Sequence, residues 1–315
     1  MKKVVDDVRL MIKVCDMYYN HGLSQQEIAT ELSISRPTLS RLLNGAKEKK
    51  LIRIQVENVD FVKYWELGEG LKKMYRLHDV IIADCGNTES ETKENIGKIT
   101  ADYLEYLIED QNVVGISMGS TLAQVVNHMK ECDDKNVTVI PLVGGVGQAS
   151  LDLHSNVIAE KLASCYHSDY QPIFVPARVY SQVVRNELMK DPAVAKVMQL
   201  ASKLDIAVLG IGYPNEQSSI KATGYFAENE MEMLIEKGVA GEINMQFYDI
   251  DGNTTPFKDN NYVVGVEVQK LKKIPITIGV AGGPDKEVAI KGAIRGGYIN
   301  TLVTDVECAR ALLKI

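Results

Sequence analysis

From Asp79 to Val303 the chain alternates short apolar runs with amphipathic stretches, and that rhythm constrains the fold more than any other feature. The runs 80–83, 113–117, 137–142, 173–175, 206–210, 242–247, 276–281 and 299–303 read as strands. Between them, 93–109, 121–130, 157–165, 192–204, 228–237 and 287–295 carry helical periodicity. Repeated strand–helix alternation predicts an α/β domain with a Rossmann-like, mostly parallel sheet and helices on both faces. In such sheets ligands bind beyond the carboxyl ends of the strands, where loops meet helix N-termini.

The first 57 residues follow another plan. Val8, Met11, Ile12, Cys15 and Tyr18/Tyr19 fall at helical spacing, and Gly22 ends that helix. Ser24-Gln25-Gln26-Glu27 has the form of a capping box, opening a helix to about Glu31 that buries Ile28 and Leu32. After a tight turn over 32–34, Ser35 is placed to cap a third helix that runs to about Lys49, with Pro37 in its first turn. Leu39, Leu42 and Leu43 face inward, leaving Ser35, Arg36, Pro37, Thr38, Ser40 and Arg41 for the outer, N-terminal face. Two Arg and three hydroxyls in that position suit a DNA major groove. Leu51–Val56 alternates as a strand, the expected wing of a winged helix-turn-helix. The expected boundaries are therefore 1–57 for a DNA-binding domain and 58–315 for an effector-binding and oligomerisation domain. Residues 58–78 read as a connecting helix holding Phe61, Trp65, Leu67, Leu71, Met74 and Leu77, with Trp65 in a packing or dimer contact.

Charge supports that division. The whole chain carries −7, yet residues 1–57 hold 10 Lys and Arg against 7 Asp and Glu, a net of +3. The remaining 25 basic and 35 acidic residues give −10. Within 33–56, Arg36, Arg41, Lys47, Lys49, Lys50 and Arg53 face a single acid, Glu48. A local basic face on an acidic protein favours a small, directed contact with double-stranded DNA, in which Lys47 and Arg53 hold backbone phosphates. Five scattered cysteines without CxxC spacing read as buried thiols in a reducing compartment. Charges interrupt the N-terminal apolar residues, and no run is long enough to span a bilayer; the expectation is a cytoplasmic protein with no membrane partner.

Four βα turns are rich in Gly and small polar residues: 115–121 (GISMGST), 143–148 (VGGVGQ), 210–213 (GIGY) and 281–286 (AGGPDK). Each alone could be a tight turn. Together, with Ser120 and Thr121 at a helix start and Lys286 at another, they favour an anionic small ligand. Glu242 could accept from sugar hydroxyls or be a solvated strand-end charge. No Walker motif, dinucleotide fingerprint, nucleophile elbow or Ser/His/acid set is present, and the five His are isolated, His154 lying nearest a glycine loop.

The motifs LSISRPTLSRLLNGAKEKKLIRI (32–54), GISMGST, VGGVGQ with the following Asn156, GEI (241–243) and AGGPDK together resemble the SorC-type transcriptional regulators over almost the whole chain. The resemblance implies a helix-turn-helix joined to a sugar-binding domain similar in fold to glucosamine-6-phosphate deaminase and ribose-5-phosphate isomerase. It implies a phosphorylated sugar effector, operator DNA as partner, a homo-oligomer (dimer or tetramer), no cofactor and no catalytic residues. The family's effector residues would fall on Gly119, Ser120, Thr121, Gly144, Gly145, Gln148, Glu242 and Lys286. A deoxyribonucleoside-responsive member carries a Lys before the paired glycines that forms a Schiff base with its sugar; here that place is Val143, which has no amine. Two rival expectations are an unphosphorylated sugar or polyol effector, and a sugar-phosphate isomerase or deaminase with an added DNA-binding domain.

Overall fold

Three short helices build the N-terminal unit, residues 1–58, of the computed structural model, which describes residues 7–54, 59–131, 135–145, 147, 150–214 and 219–314. Helix α1 (Val8–Cys15), continued by a wide turn to Asn20, packs on α3 (Arg36–Glu48), with α2 (Gln25–Glu31) closing the bundle. Asp7 caps α1, and Ser24 and Glu27 form the expected capping box on α2. The core is Met11, Val14, Cys15, Met17, Ile28, Leu39, Leu42, Leu43 and Ala46. Val8, Ile12 and Tyr19, expected on the apolar side of α1, are exposed, because Val14 and Met17 take the inward positions instead. Gly45 lies where α1 crosses α3: a Cβ there would stand 2.9 Å from Met11 Cε, so the flexible end of that side chain would have to shift.

The expected wing is not a strand over 51–54. Leu51 and Ile52 turn back, half-buried, onto the three-helix core, and no strand among the described residues of this unit offers them a partner. The last two residues of the expected wing, Gln55 and Val56, lie outside the described residues.

The second unit, residues 59–315, opens with α4 (Trp65–Tyr75) and then alternates strand and helix. In chain order follow β1 (Asp79–Ala83), α5 (Glu89–Leu107), β2 (Val113–Ile116), α6 (Ser120–His128), β3 (Thr138–Pro141), α7 (Ser155–Cys165), α8 (Gln182–Lys190), α9 (Pro192–Ala201), β4 (Ile206–Gly210), α10 (Ser219–Ala222) and α11 (Glu228–Glu236). The chain ends β5 (Gly241–Ile243), β6 (Gln246–Tyr248), α12 (Val268–Leu271), β7 (Ile276–Val280), α13 (Glu287–Arg295), β8 (Thr301–Asp305) and α14 (Val306–Leu313). Six strands in the order β1-β8-β7-β4-β2-β3 form one sheet in which every paired neighbour is parallel. Strands buried on both faces are near-continuously apolar, which is why 80–83 and 206–210 read as runs and not as alternations. One apolar layer, with Leu209, Ile290 and Leu302, covers one face of the sheet; a second, with Ile96, Val126 and Leu162, covers the other.

Two expected strands fail. Residues 242–247 are a hairpin, β5 and β6, because Asn244 and Met245 turn the chain back in the left-handed region. Residues 173–175 have no strand ladder, contributing only isolated contacts around Tyr170 and Pro176. Trp65 and Met74 are exposed on α4, whereas Leu71 is fully buried. Gly68 lets α4 pass close to β1, a Cβ there lying 3.2 Å from the Val80 carbonyl oxygen. No helix among the described residues is long and apolar enough to cross a membrane.

Candidate functional site

In the first unit the recognition-type surface is the outer face of α3. Ser35 adopts an extended backbone (ψ 147°), and its Oγ accepts from the Thr38 backbone N–H at 3.3 Å. The two hydroxyls also share a hydrogen bond at 2.8 Å, so the Thr38 hydroxyl belongs to the cap and Thr38 is half-buried. Ser40 is half-buried as well, while Ser35, Arg36, Pro37, Arg41, Lys47 and Arg53 are exposed. At a helical spacing of 100° per residue, Arg36, Lys47, Asn44 and Arg41 share one outward arc. Asn44, exposed between Arg41 and Lys47, was missed in the sequence; its amide suits an adenine edge.

In the second unit a cavity of about 420 Å³ opens at the carboxyl ends of five of the six strands. The loop after β1 supplies Gly86, Asn87, Thr88 and Glu89; the loop after β2 supplies Ser117 and Gly119–Thr121; the end of β4 supplies Gly210–Gly212. Gly282–Lys286 follow β7, Asp305 ends β8, and Glu242, Asn244 and Met245 project from the β5–β6 hairpin. Of the predicted effector residues, Gly119, Ser120, Thr121, Glu242 and Lys286 meet here.

Local geometry explains each placement. Gly119 (φ 118°) precedes α6 without any side-chain cap, leaving the helix N-terminus to face the cavity with its positive dipole end. Gly283 (φ 104°) turns the β7 loop and donates its N–H to Asp305 Oδ2 at 2.5 Å. Asp305 also caps α14, accepting from Glu307 and Cys308 N–H groups at 2.9 and 3.0 Å. Gly282 has no space for a side chain: a Cβ would stand 2.4 Å from Asp305 Oδ2.

The electrostatics centre on Glu242 and Lys286. Burial pushes the Glu242 carboxyl up to about 7, against the opposing pull of the Met245 N–H, which donates to it at 2.8 Å, and of Lys286. Burial lowers the Lys286 ammonium from the ordinary lysine range, while Glu242 raises it and Lys93 lowers it further. Lys93 is itself paired with Glu89 at 2.6 Å on the cavity rim. A partly desolvated cation beside a helix N-terminus is arranged to receive an anion, and the charge-poor carboxyl beside it does not repel one.

The described residues of the second glycine loop do not line this cavity. Gly144 and Gly145 serve backbone pairing: their N–H groups donate to Val264 and Val175 carbonyls at 3.0 and 2.8 Å. A Cβ on Gly144 would lie 2.4 Å from the Val175 oxygen, so this glycine is fixed by chain crossing. Gln148 lies outside the described residues. Asn156 ties the same layer together through both polar groups of Ile173, each at 3.0 Å. Val143 is fully buried, and His154 sits at the start of α7 away from the cavity lining. Sequence reasoning also missed the β1–α5 loop, although Cys85-Gly86-Asn87-Thr88 carries the same signal, a glycine and small polar residues between strand and helix. Thr88 caps α5, accepting from Glu91 N–H at 3.2 Å.

Comparison with known proteins agrees with both halves of this description. Residues 59–314 match the family described as "Putative sugar-binding domain", and residues 17–60 match the MarR family. The chain is 30% identical to the sorbitol operon regulator of Klebsiella pneumoniae, over 98% of this chain and 99% of that protein. It is 30% identical to the deoxyribonucleoside regulator of Bacillus subtilis, over 97% of each. The crystal structure of the full-length Klebsiella regulator superposes with a TM-score of 0.75, covering 98% of this chain and 100% of the other. With a helix-turn-helix, a parallel α/β sugar-binding unit and full-length similarity to these regulators, the chain belongs to the SorC family of DNA-binding, sugar-responsive transcriptional regulators.

Proposed function

We propose that the cavity holds a phosphorylated sugar or sugar alcohol, and that its occupancy decides whether α3 sits on operator DNA upstream of carbohydrate-utilisation genes. The observation that carries this reading is the meeting of Lys286 and the uncapped start of α6 in one polar cavity with Glu242. A phosphate takes backbone N–H groups in the first turn of α6 and the Lys286 charge, the Gly119 N–H being spent on the Leu153 carbonyl; the sugar hydroxyls take Glu242. Gly144, Gly145 and Gln148 are left out of this assignment: the first two are spent on backbone pairing, and the third lies outside the described residues. Glucitol and deoxyribose phosphates are natural first probes, since the relatives are regulators of a sorbitol operon and of deoxyribonucleoside response. The Schiff-base route is closed at Val143.

On the DNA side, Arg36, Arg41, Ser40 and Asn44 read base edges and adjacent phosphates; Ser35, Pro37 and Thr38 shape the helix start. Lys47 and Arg53 hold backbone phosphates and set the salt dependence. One helix of this size covers a short half-site, so specific binding requires at least a dimer on a two-fold operator. The effector then favours one arrangement of that oligomer by its differential affinity.

The test is calorimetry of the full chain against paired phosphorylated and unphosphorylated sugars, followed by operator binding with and without the tightest ligand. Preferential binding of the phosphorylated partner and a shift in operator affinity are expected. Equal affinity within each pair overturns the phosphate assignment. The bound sugar phosphate is expected to be recovered unchanged; turnover would reassign the cavity to an enzyme.

A further inference from the structure

The floor of the cavity carries one polar group that the fold does not use. Asn244 is the first residue of the two-residue turn between β5 and β6, with φ 53°, followed by Met245 at φ 60°. Two successive left-handed residues are what a tight hairpin of this kind requires, and Asn tolerates the first position well. The turn accounts for the backbone and leaves the side chain unexplained.

That side chain is 2% exposed, and its Nδ2 has no hydrogen-bond partner. Its Oδ1 accepts from Ser117 Oγ at 2.6 Å, which fixes the amide from one side. Buried amide nitrogens are almost always paired, so an unpaired one at a cavity floor calls for an explanation. Both Asn244 and Ser117 line the cavity. Ser117 has given its proton to Asn244 and keeps the capacity to accept. Glu242 Oε2 already receives the Met245 N–H. The floor therefore offers one unspent donor with an acceptor beside it.

We propose that Asn244 is a specificity-determining residue of this cavity: its amide donates to a hydroxyl or carbonyl oxygen on the carbon chain of the effector. A ligand that places an oxygen there pairs the buried nitrogen; a ligand deoxygenated at that carbon leaves it unpaired and binds more weakly. The proposal rests on the effector reading above and deepens it, adding discrimination between hydroxylated sugars and their deoxy analogues.

The experiment uses the full-length chain and calorimetry with ribose 5-phosphate, glucose 6-phosphate, glucitol 6-phosphate, their monodeoxy analogues and inorganic phosphate. Two variants isolate the amide. Asn244→Gly removes the side chain while keeping a residue that adopts φ 53° without strain, so the turn survives. Asn244→Ala keeps the Cβ and removes the amide without adding a charge, its left-handed φ making it the less stable of the two. Both are expected to weaken the best-bound sugar phosphate about tenfold or more, to leave inorganic phosphate within about twofold, and to erase the wild-type preference over one monodeoxy analogue. Unchanged sugar-phosphate affinity in either folded variant overturns the proposal alone. So does a lowered melting temperature with the ratio of sugar-phosphate to phosphate affinity intact, which marks a structural role. A wild-type chain that binds no sugar phosphate overturns the effector reading and this inference with it.

Discussion

Gly212 and Glu242 hold each other in place. Their backbones exchange two hydrogen bonds, at 3.0 and 2.9 Å, and Glu242 Oε1 occupies the space where a Gly212 side chain would stand, 2.0 Å from an added Cβ. The end of β4 and the start of the hairpin are thereby joined, and the carboxyl is aimed by a glycine at a φ that any residue could adopt. Gly212→Ala is expected to fold, to displace the Glu242 side chain, and to weaken the effector at least tenfold in calorimetry. Full affinity in this variant would show that the position of Glu242 is immaterial.

Glu242 also sets a dependence on pH. Its carboxyl titrates near 4.5 when unfolded and at about 7 in the fold, where burial disfavours the charge. Below 4.5 both states are protonated and no penalty applies; as pH rises through 7 the folded state must ionise in a dry site, and stability is lost. The gap corresponds to about 3 kcal/mol at most. Glu242→Gln is therefore expected to raise the melting temperature more at pH 8 than at pH 5. Equal gains at both values would place the carboxylate in a well-solvated setting.

Lys286 is the cation next to that carboxyl. Lys286→Ala is expected to weaken a phosphorylated effector about 10- to 100-fold and its unphosphorylated analogue only slightly, since a hydrogen-bonded charge contributes about 1.5–3 kcal/mol. Parallel titrations of the two ligands decide it. Matching losses would take the phosphate away from this lysine.

On the DNA-binding unit, Arg41→Ala is expected to lower affinity for operator about tenfold or more and to reduce the salt slope, while melting temperature and effector affinity stay unchanged. Arg41 is exposed at a helix position with no share in the core, so folding is spared. Undiminished, sequence-selective binding by fluorescence anisotropy would exclude it from the interface.

Much of this architecture was legible because parallel strands and helix caps leave local marks. The caps at Ser24 and Ser35 lie where patterning puts them and five of the six sheet strands fall within one residue of it; β8 is displaced by two residues toward its loop, ending at Asp305. What escaped was non-local. Nothing in Gly144-Gly145 says that the chain at 175–177 crosses over it, and so a packing glycine looked like a ligand glycine. Asn244 was hidden because 242–247 alternates polar and apolar residues and so reads as one strand, and the turn depends on two left-handed residues without a glycine. Helix α8 was missed because none of its residues is fully buried and only Leu188 and Met189 pack, half-covered, against an apolar cluster.

The hairpin is anchored at both flanks: to β4 through Gly212, and to α13 through Tyr248, whose hydroxyl donates to the Ala289 carbonyl at 3.0 Å. Lys286 immediately precedes α13, so the cation and the hairpin carboxyl belong to one braced frame. A frame tied in this way resists spreading for an oversized guest. Under the effector reading proposed above, the cavity is then a gauge, expected to select a sugar by its dimensions as well as by its hydroxyls.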